Sequence, residues 1–207
     1  MRRGSVRTSF CEPFNRIAIV LLIAITAGCA SPQIAPSKPV ATQTIERPAQ
    51  SFSVSGRFSA KRSESAASGQ FRYVQRGMDR TLEMFTPTST PLARIDATAQ
   101  SATLSTADGV NRSAAALAEL LRMYIDIELT DAQFSAWLQG LPASGDGVTA
   151  IERDPQNRLA RFTESSWMIE VSARGDSTPP FARRMRWAYA PETDTELRWV
   201  IDEFTVP

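Results

Sequence analysis

The stretch Phe52-Ser-Val-Ser-Gly-Arg-Phe-Ser-Ala60 alternates between two kinds of residue along its whole length. Phe52, Val54, Gly56, Phe58 and Ala60 fall on one face of an extended chain, and the serines and arginine between them fall on the other. A period of two is typical of a β-strand with one buried face. The ordered part of this chain is therefore predicted to begin as a sheet with one apolar side.

The same period recurs on both sides of a central helical region. Short connections separate the segments, including the turn signal Asp108-Gly109, and tight turns favour an antiparallel meander. Further strands are predicted over residues 71–75, 81–86, 92–98, 102–106, 148–153, 159–163, 167–171, 183–189 and 197–204.

Two amphipathic helices interrupt this sheet. The first carries Leu117, Leu120, Leu121 and Tyr124 at the i, i+3, i+4, i+7 spacing of one helix face. The second starts with Thr130 and Gln133 as a capping box and ends at Gly140 and Pro142; its apolar positions are Phe134, Trp137, Leu138 and Leu141. A sheet of about ten strands curls or closes, so we expect the helices to cover its concave face or an open end. Sequence pattern alone does not separate a filled core from an empty cavity beneath such a lid.

The first 28 residues have the layout of a secretory signal. A basic start is followed by an apolar run of about 11 residues, which is too short for the roughly 20 that a membrane span needs. Thr26-Ala27-Gly28-Cys29 resembles the bacterial lipobox, in which the cysteine is lipidated and becomes the first mature residue. Ala30 follows in place of Asp, and that resemblance implies export to the outer membrane.

Residues 29–51 are rich in Pro, Ser, Thr, Gln and Ala and are predicted to form a lipid-anchored tether. About 22 extended residues reach roughly 65 Å. Residues 52–207 then form one domain of about 155 residues, long enough to bury a core without disulfides.

Composition argues against several functions. The chain has no histidine, which removes the commonest general base and metal nitrogen ligand. The formal charge of +1 offers no basic surface for nucleic acid. No glycine-rich phosphate-binding loop is present. We therefore expect a protein that is not an enzyme and needs neither a metal nor a cofactor.

The order of several motifs resembles the LolB family of outer-membrane lipoprotein receptors. These motifs are the lipobox, the Pro-rich segment, Val54-x-Gly-Arg-Phe58, Phe71-x-Tyr73, Pro87, Trp137-Leu-x-Gly-Leu-Pro142, Trp167 and Val200-Ile-Asp-Glu-Phe204. The resemblance implies a mainly β fold with a helical insertion: an incomplete antiparallel β-barrel covered by a helical lid over an apolar cavity.

The resemblance also implies a function. Such a protein takes lipoproteins from a periplasmic LolA-like carrier, holds their acyl chains in the cavity and inserts them into the inner leaflet of the outer membrane. It would act as a monomer facing the periplasm, without a cofactor. The residues expected to line the cavity are Phe58, Phe71, Tyr73, Met84, Leu117, Leu120, Leu121, Tyr124, Phe134, Trp137, Leu138 and Trp167.

The resemblance also implies that an exposed loop between two strands contacts the membrane. Here it corresponds to Pro87, Thr88 and Ser89, with Thr88 where the family has leucine. A second interpretation stays open: a structural or assembly lipoprotein with a solid-core barrel that binds another envelope protein.

Overall fold

The alternating segments form one antiparallel sheet in the computed structural model, which describes residues 46–125, 128–144, 147–176, 180–192 and 194–207. The predicted signal peptide, the lipidation site Cys29 and most of the predicted tether lie outside these residues. Within them are eleven strands and two helices: β1 (Ser51–Arg62), β2 (Ser65–Arg76), β3 (Asp79–Phe85), β4 (Pro91–Ala97), β5 (Ala102–Thr106), β6 (Asn111–Ala114), α1 (Leu117–Ile125), α2 (Asp131–Leu138), β7 (Thr149–Arg153), β8 (Leu159–Glu164), β9 (Trp167–Arg174), β10 (Ala182–Tyr189) and β11 (Glu196–Thr205).

The sheet is open rather than closed. Its order is β6-β5-β4-β3-β2-β1-β11-β10-β9-β8-β7, so the first and last strands pair at its centre. Among the described residues, β6 and β7 form its two edges, and the helices connect them in sequence. The incomplete antiparallel barrel with a helical insertion is therefore confirmed.

One strand escaped the sequence analysis. β6 pairs with β5 at the edge of the sheet, but its residues Asn-Arg-Ser-Ala are polar or small and largely exposed. With almost no apolar face to bury, the strand shows no alternation; backbone pairing with β5 and contact with α1 hold it in place.

Gly56 explains part of the Val-x-Gly-Arg-Phe motif. The pairing of β1 with β11 shifts register between Ser55 and Gly56. A Cβ atom on Gly56 would lie 2.1 Å from the carbonyl oxygen of Val200, closer than any real contact. Glycine is therefore required where the two central strands approach at this bulge.

The two ends of the half-barrel carry different features. Gln50 directly precedes β1 at one end of the half-barrel. Its carbonyl accepts a hydrogen bond from the amide of Gly77 in the β2–β3 turn (3.0 Å). We call this the tether end. The β1–β2 turn and the loop of residues 86–90 lie at the opposite end, which we call the loop end.

The helices occupy different depths. α1 packs on β4, β5 and β6, whereas six consecutive residues of α2, from Gln133 to Leu138, are buried. Thr130 caps α2 and forms the predicted capping box with Gln133. Within the described part of the chain, no helix has the length and apolarity of a membrane span.

Candidate functional site

A small apolar cavity lies between the concave face of the sheet and the helices. Its volume is about 20 Å³. The residues lining it are Phe58, Ala60, Phe71, Leu82, Met84, Leu121, Phe134, Leu197 and Trp199. The surface that these side chains present to the cavity is entirely apolar. The chemistry of this site is that of hydrocarbon binding.

The structure places the twelve predicted cavity residues in two groups. Five of them line the cavity: Phe58, Phe71, Met84, Leu121 and Phe134. Six are buried in the surrounding core without lining it: Tyr73, Leu117, Leu120, Trp137, Leu138 and Trp167. The side chain of Tyr124 lies outside the described part of the structure.

Four cavity residues were missed by the sequence analysis: Ala60, Leu82, Leu197 and Trp199. Each lies on an inward face of a predicted strand, and Trp199 is directly opposite Phe58 in the pairing of β1 with β11. Alternation combined with strand pairing would have identified them, but the pairing of β1 with the last strand is not visible in sequence.

Aromatic rings surround the deep side of the cavity. Phe134 of α2 is at their centre, with ring centroids 5.4 Å from Tyr73, 6.1 Å from Trp187 and 6.0 Å from Trp199. Trp137 continues the cluster to Trp187 at 5.5 Å. Such edge-to-face contacts add to the burial energy of each ring, so α2 is firmly packed at this depth.

The cavity is too small for an acyl chain in this conformation. A cavity of roughly 150 Å³ holds a benzene ring, and about 10–15 Å³ holds a single water molecule. The observed 20 Å³ is near the lower figure. An acyl chain therefore binds here only if side chains such as Leu121 and Phe134 move.

The cavity opens toward the loop end. Phe58, Ala60 and Met84 are its half-buried members, and Met84 is followed directly by Phe85 and the loop of residues 86–90. Inside that loop the Ser89 amide donates to the Thr86 carbonyl (3.0 Å). Gln70 Nε2 donates to the Pro87 carbonyl (2.9 Å) and to Ser89 Oγ (3.0 Å).

The predicted membrane-facing residues Pro87, Thr88 and Ser89 are all exposed at the tip of this loop. The Thr88 hydroxyl lies 2.9 Å from that of Thr86. Leu92, at the start of β4, is 43% exposed and lies within a strand rather than at the tip. The loop is therefore well formed and adjacent to the cavity mouth, and its tip is polar.

Glu164 fixes the segment that follows α2. This carboxylate is 4% exposed. Its Oε2 accepts from Trp137 Nε1 (2.7 Å) and the Ala143 amide (3.0 Å). Its Oε1 accepts from the amide of Ser144 (3.1 Å) and its hydroxyl (3.2 Å).

Gly140 completes the same segment. Its φ of +71° ends α2, and a Cβ there would lie 2.7 Å from that of Ala182. The Trp-Leu-x-Gly-Leu-Pro motif is thus explained as a buried turn held by Glu164 and Gly140, with no direct part in lining the cavity.

A polar network ties both helices to β2 and β3 at the tether end. Arg80 donates to Asp131 of α2 (3.2 Å), and the other Asp131 oxygen accepts from the Ala118 amide of α1 (2.7 Å). Ser135 and Tyr73 both donate to Gln75 Oε1, at 2.5 and 2.9 Å. Burial raises the pKa of the Tyr73 hydroxyl, which therefore stays protonated and keeps donating.

The described residues contain no group of His, Cys, Asp and Glu side chains arranged to hold a metal ion. The carboxylates of Glu164 and Asp131 are engaged in the hydrogen bonds and the ion pair described above. The apolar cavity is therefore the candidate site.

Comparisons with known proteins place this chain among described relatives. A family model described as "Outer membrane lipoprotein LolB" matches residues 50–204. The outer-membrane lipoprotein LolB of Ralstonia nicotianae is 27% identical over 173 residues, which cover 82% of this chain and 81% of that protein. That of Cupriavidus taiwanensis is 30% identical over 159 residues, 75% of each chain, and that of Cupriavidus necator is 29% identical over 198 residues, 92% of this chain and 98% of the other. Among solved structures, a LolA superfamily protein from Nitrosomonas europaea has a TM-score of 0.49 at 8% identity, covering 79% of this chain and 89% of that one.

Proposed function

Because this chain belongs to the LolB family of outer-membrane lipoproteins, we propose that it receives lipoproteins from a LolA-like periplasmic carrier and inserts them into the outer membrane. In this proposal the apolar cavity binds the acyl chains of the cargo during the transfer. The single observation that supports assigning acyl-chain binding to the cavity is its apolar lining. The mouth of the cavity lies beside the exposed loop of residues 86–90.

Transfer by such a site is driven by hydrocarbon burial. Each CH₂ group moved out of water stabilises the complex by about 0.8 kcal/mol. A chain that passes from the carrier to this cavity, and then to the bilayer, needs only a more favourable apolar environment at each step. The residues that must move to receive it are those that fill the cavity from the helix side, Leu121 of α1 and Phe134 of α2.

The orientation of the protein follows from the same proposal. Cys29 carries the lipid that holds the chain at the outer membrane, and the domain faces the periplasm, where it meets the carrier. The loop end turns toward the inner leaflet during release, because the cavity opens there and Pro87, Thr88 and Ser89 project from it.

The proposal is tested by blocking the cavity mouth. A purified carrier–lipoprotein complex is incubated with this protein, and the fraction of lipoprotein transferred from the carrier to this protein is measured. Ala60→Phe adds a ring to the half-buried mouth and is expected to reduce transfer strongly. Ala66→Phe adds the same ring on the opposite face of the sheet, where Ala66 is exposed and pairs with Lys61, and is expected to leave transfer unchanged. Equal transfer by both variants would contradict the cavity assignment.

The nearly filled interior is also what the second interpretation expects, an assembly lipoprotein with a solid core that binds another envelope protein. Uptake of a fluorescent fatty acid separates the two. A protein that opens its cavity binds the probe and releases it when unlabelled fatty acid is added, whereas a solid core binds no probe.

A further inference from the structure

A closed ring of hydrogen bonds joins residues 46–50 to helix α2 at the tether end. We call residues 46–50, the last part of the proposed tether, the strap. The side-chain amide of Gln139 makes two bonds to Ala49: its Oε1 accepts from the Ala49 amide (2.8 Å), and its Nε2 donates to the Ala49 carbonyl (3.2 Å). The same Nε2 donates to the carbonyl of Ser135, one turn earlier in α2 (3.2 Å). Gln139, the C-cap residue of α2, therefore binds the strap as the backbone of a neighbouring strand would.

The ring closes through the turn between β2 and β3. Ser135 Oγ donates to Gln75 Oε1 (2.5 Å), and Gln75 Nε2 donates to the Gly77 carbonyl (3.1 Å). The Gly77 amide donates to the carbonyl of Gln50 (3.0 Å), which returns the ring to the strap. The strap is thus bonded to α2 and to the sheet at the same time.

The bonds to the strap are the contacts of α2 that cost least to break. Asp131 and Glu164 also hold the helix and the turn after it, but breaking their contacts leaves a largely buried carboxylate without its partners. Ala49 is only half-buried, so water replaces the hydrogen bonds that it loses. An open groove of about 580 Å³ lies between the strap and residues 142–144. The strap therefore has room to leave Gln139 without disrupting the sheet.

Helix α2 also carries a side chain that keeps the cavity small. Phe134 lines the cavity from the helix side, and it must move before an acyl chain can enter. Ser135 is the next residue, and Gln139 lies one turn beyond it on the same face of the helix. The closed ring therefore fixes the helix at the position from which Phe134 fills the cavity.

We propose that the strap is a latch on α2. While Ala49 is bound to Gln139, the helix stays over the cavity; when the strap leaves Gln139, the helix moves and admits an acyl chain. This inference rests on the proposed function, since it requires acyl chains to enter the cavity. It adds that the segment joining the membrane anchor to the domain also controls access to the site. In the latched protein a small fraction of molecules is open, and the apparent affinity for a ligand is reduced by that fraction.

Substitutions at the two partners test the latch. The full-length chain with Cys29→Ala, prepared without lipid, is titrated with a fluorescent fatty acid. Ala49→Pro removes the amide that donates to Gln139, whereas the control Ala49→Gly keeps it. Gln139→Met nearly preserves the size of the side chain and removes both bonds to the strap. One hydrogen bond of ordinary net strength corresponds to roughly two- to tenfold in an equilibrium constant.

We therefore expect Ala49→Pro to tighten fatty-acid binding by roughly two- to tenfold, Gln139→Met to tighten it at least as much, and Ala49→Gly to leave it nearly unchanged. Because the first two substitutions remove the same contact, their effects are not additive. The double variant is expected to bind no more tightly than Gln139→Met alone.

A covalent bridge fixes the latch and should have the opposite effect. Ala49→Cys and Gln139→Cys are introduced together in a chain that carries Cys11→Ser and Cys29→Ala, and the two thiols are joined with dibromobimane. The bridged chain is expected to lose most of its fatty-acid uptake relative to the same chain before bridging. The control bridge joins Lys61→Cys and Ala66→Cys, which pair on the opposite face of the sheet, and is expected to leave uptake unchanged.

Hydrogen exchange without ligand gives a readout that does not depend on binding. The α2 amides from Phe134 onward are expected to exchange faster in Ala49→Pro than in Ala49→Gly. If the fatty acid binds but affinity, exchange and the effect of the bridge all match their controls, the latch is wrong while the cavity assignment stands. Weaker binding by both Ala49→Pro and Gln139→Met would also overturn the latch, because the ring would then only stabilise the site. If no chain binds the fatty acid, the cavity assignment fails and this inference fails with it.

Discussion

Leu121 of α1 is the position where a filled core and a ligand cavity give opposite expectations. Its side chain is 2% exposed and forms part of the cavity wall. We expect Leu121→Ala to lower the stability of the protein and, at the same time, to strengthen fatty-acid binding. In a protein whose interior is only core, the same substitution lowers stability and creates no binding.

The loss of stability follows from the atoms removed. Leu121→Ala deletes three carbons, and about 0.8 kcal/mol for each gives roughly 2.4 kcal/mol of lost burial. Every 40 Å³ or so of space that the surrounding chain fails to fill adds about 1 kcal/mol. We therefore expect the free energy of unfolding to fall by about 3–4 kcal/mol, measured by urea denaturation.

The gain in binding comes from the same space. In the native chain an acyl group must displace Leu121, because only about 20 Å³ is open. In the variant the space already exists, and filling it recovers the cost of the void. Recovery of about 1 kcal/mol corresponds to roughly fivefold tighter binding of a fluorescent fatty acid.

Leu104→Ala is the matched control. Leu104 of β5 is fully buried but does not line the cavity, so its truncation is expected to cost similar stability without tighter binding. Equal binding by the two variants, or weaker binding by Leu121→Ala, would refute the reasoning.

Three further predictions address the rest of the chain. Glu164→Leu removes the acceptor of four hydrogen bonds and is expected to lower the free energy of unfolding by about 3 kcal/mol or more. Its control is Glu152→Leu, at a half-exposed surface ion pair with Arg161, which is expected to change the free energy of unfolding by about 1 kcal/mol or less. Similar urea midpoints for the two variants would contradict this prediction. Thr88→Leu at the exposed loop tip is expected to increase liposome co-sedimentation and delivery of cargo with a nearly unchanged melting temperature, and identical values for threonine and leucine would remove the loop from the delivery step. Mass spectrometry of the membrane-extracted protein is expected to show an acylated Cys29 at the N-terminus, and an unmodified thiol or cleavage elsewhere would disprove lipidation.

The sequence predicts the sheet and its inward faces because burial imposes a period of two. Ten of the eleven strands in the described residues follow from that pattern, and β6 does not because neither of its faces is buried. The start of α2 was equally predictable, since the capping box of Thr130 and Gln133 uses only local contacts.

The state of the interior was not predictable in the same way. Alternation marks Phe71 and Leu82 as inward-facing, but it does not give the distance across the half-barrel or the side chains that fill it. The sequence also did not reveal how deeply α2 is buried. Its buried Gln133 and Ser135 look like surface residues in sequence and are accommodated by distant partners, Ser165 and Gln75 (2.8 and 2.5 Å).

The arrangement of the two ends limits how this protein works at a membrane. The proposed tether joins the domain at Gln50, while the cavity mouth and residues 86–90 lie at the far end of β1. A strand of 12 residues is about 36 Å long at roughly 3.3 Å per residue. If Cys29 is lipidated as proposed, the tether must run back along that length for the mouth to reach the same bilayer, which takes about a dozen extended residues at roughly 3.1 Å each. Because Ala49 is hydrogen-bonded to Gln139 of the domain, about 19 residues remain free to extend, and they meet this need with roughly a third of their reach to spare, so a lipidated chain can present either end to its own membrane. The length of the proline-rich segment then becomes a functional requirement of the fold, because a much shorter one would hold the cavity mouth away from the lipid.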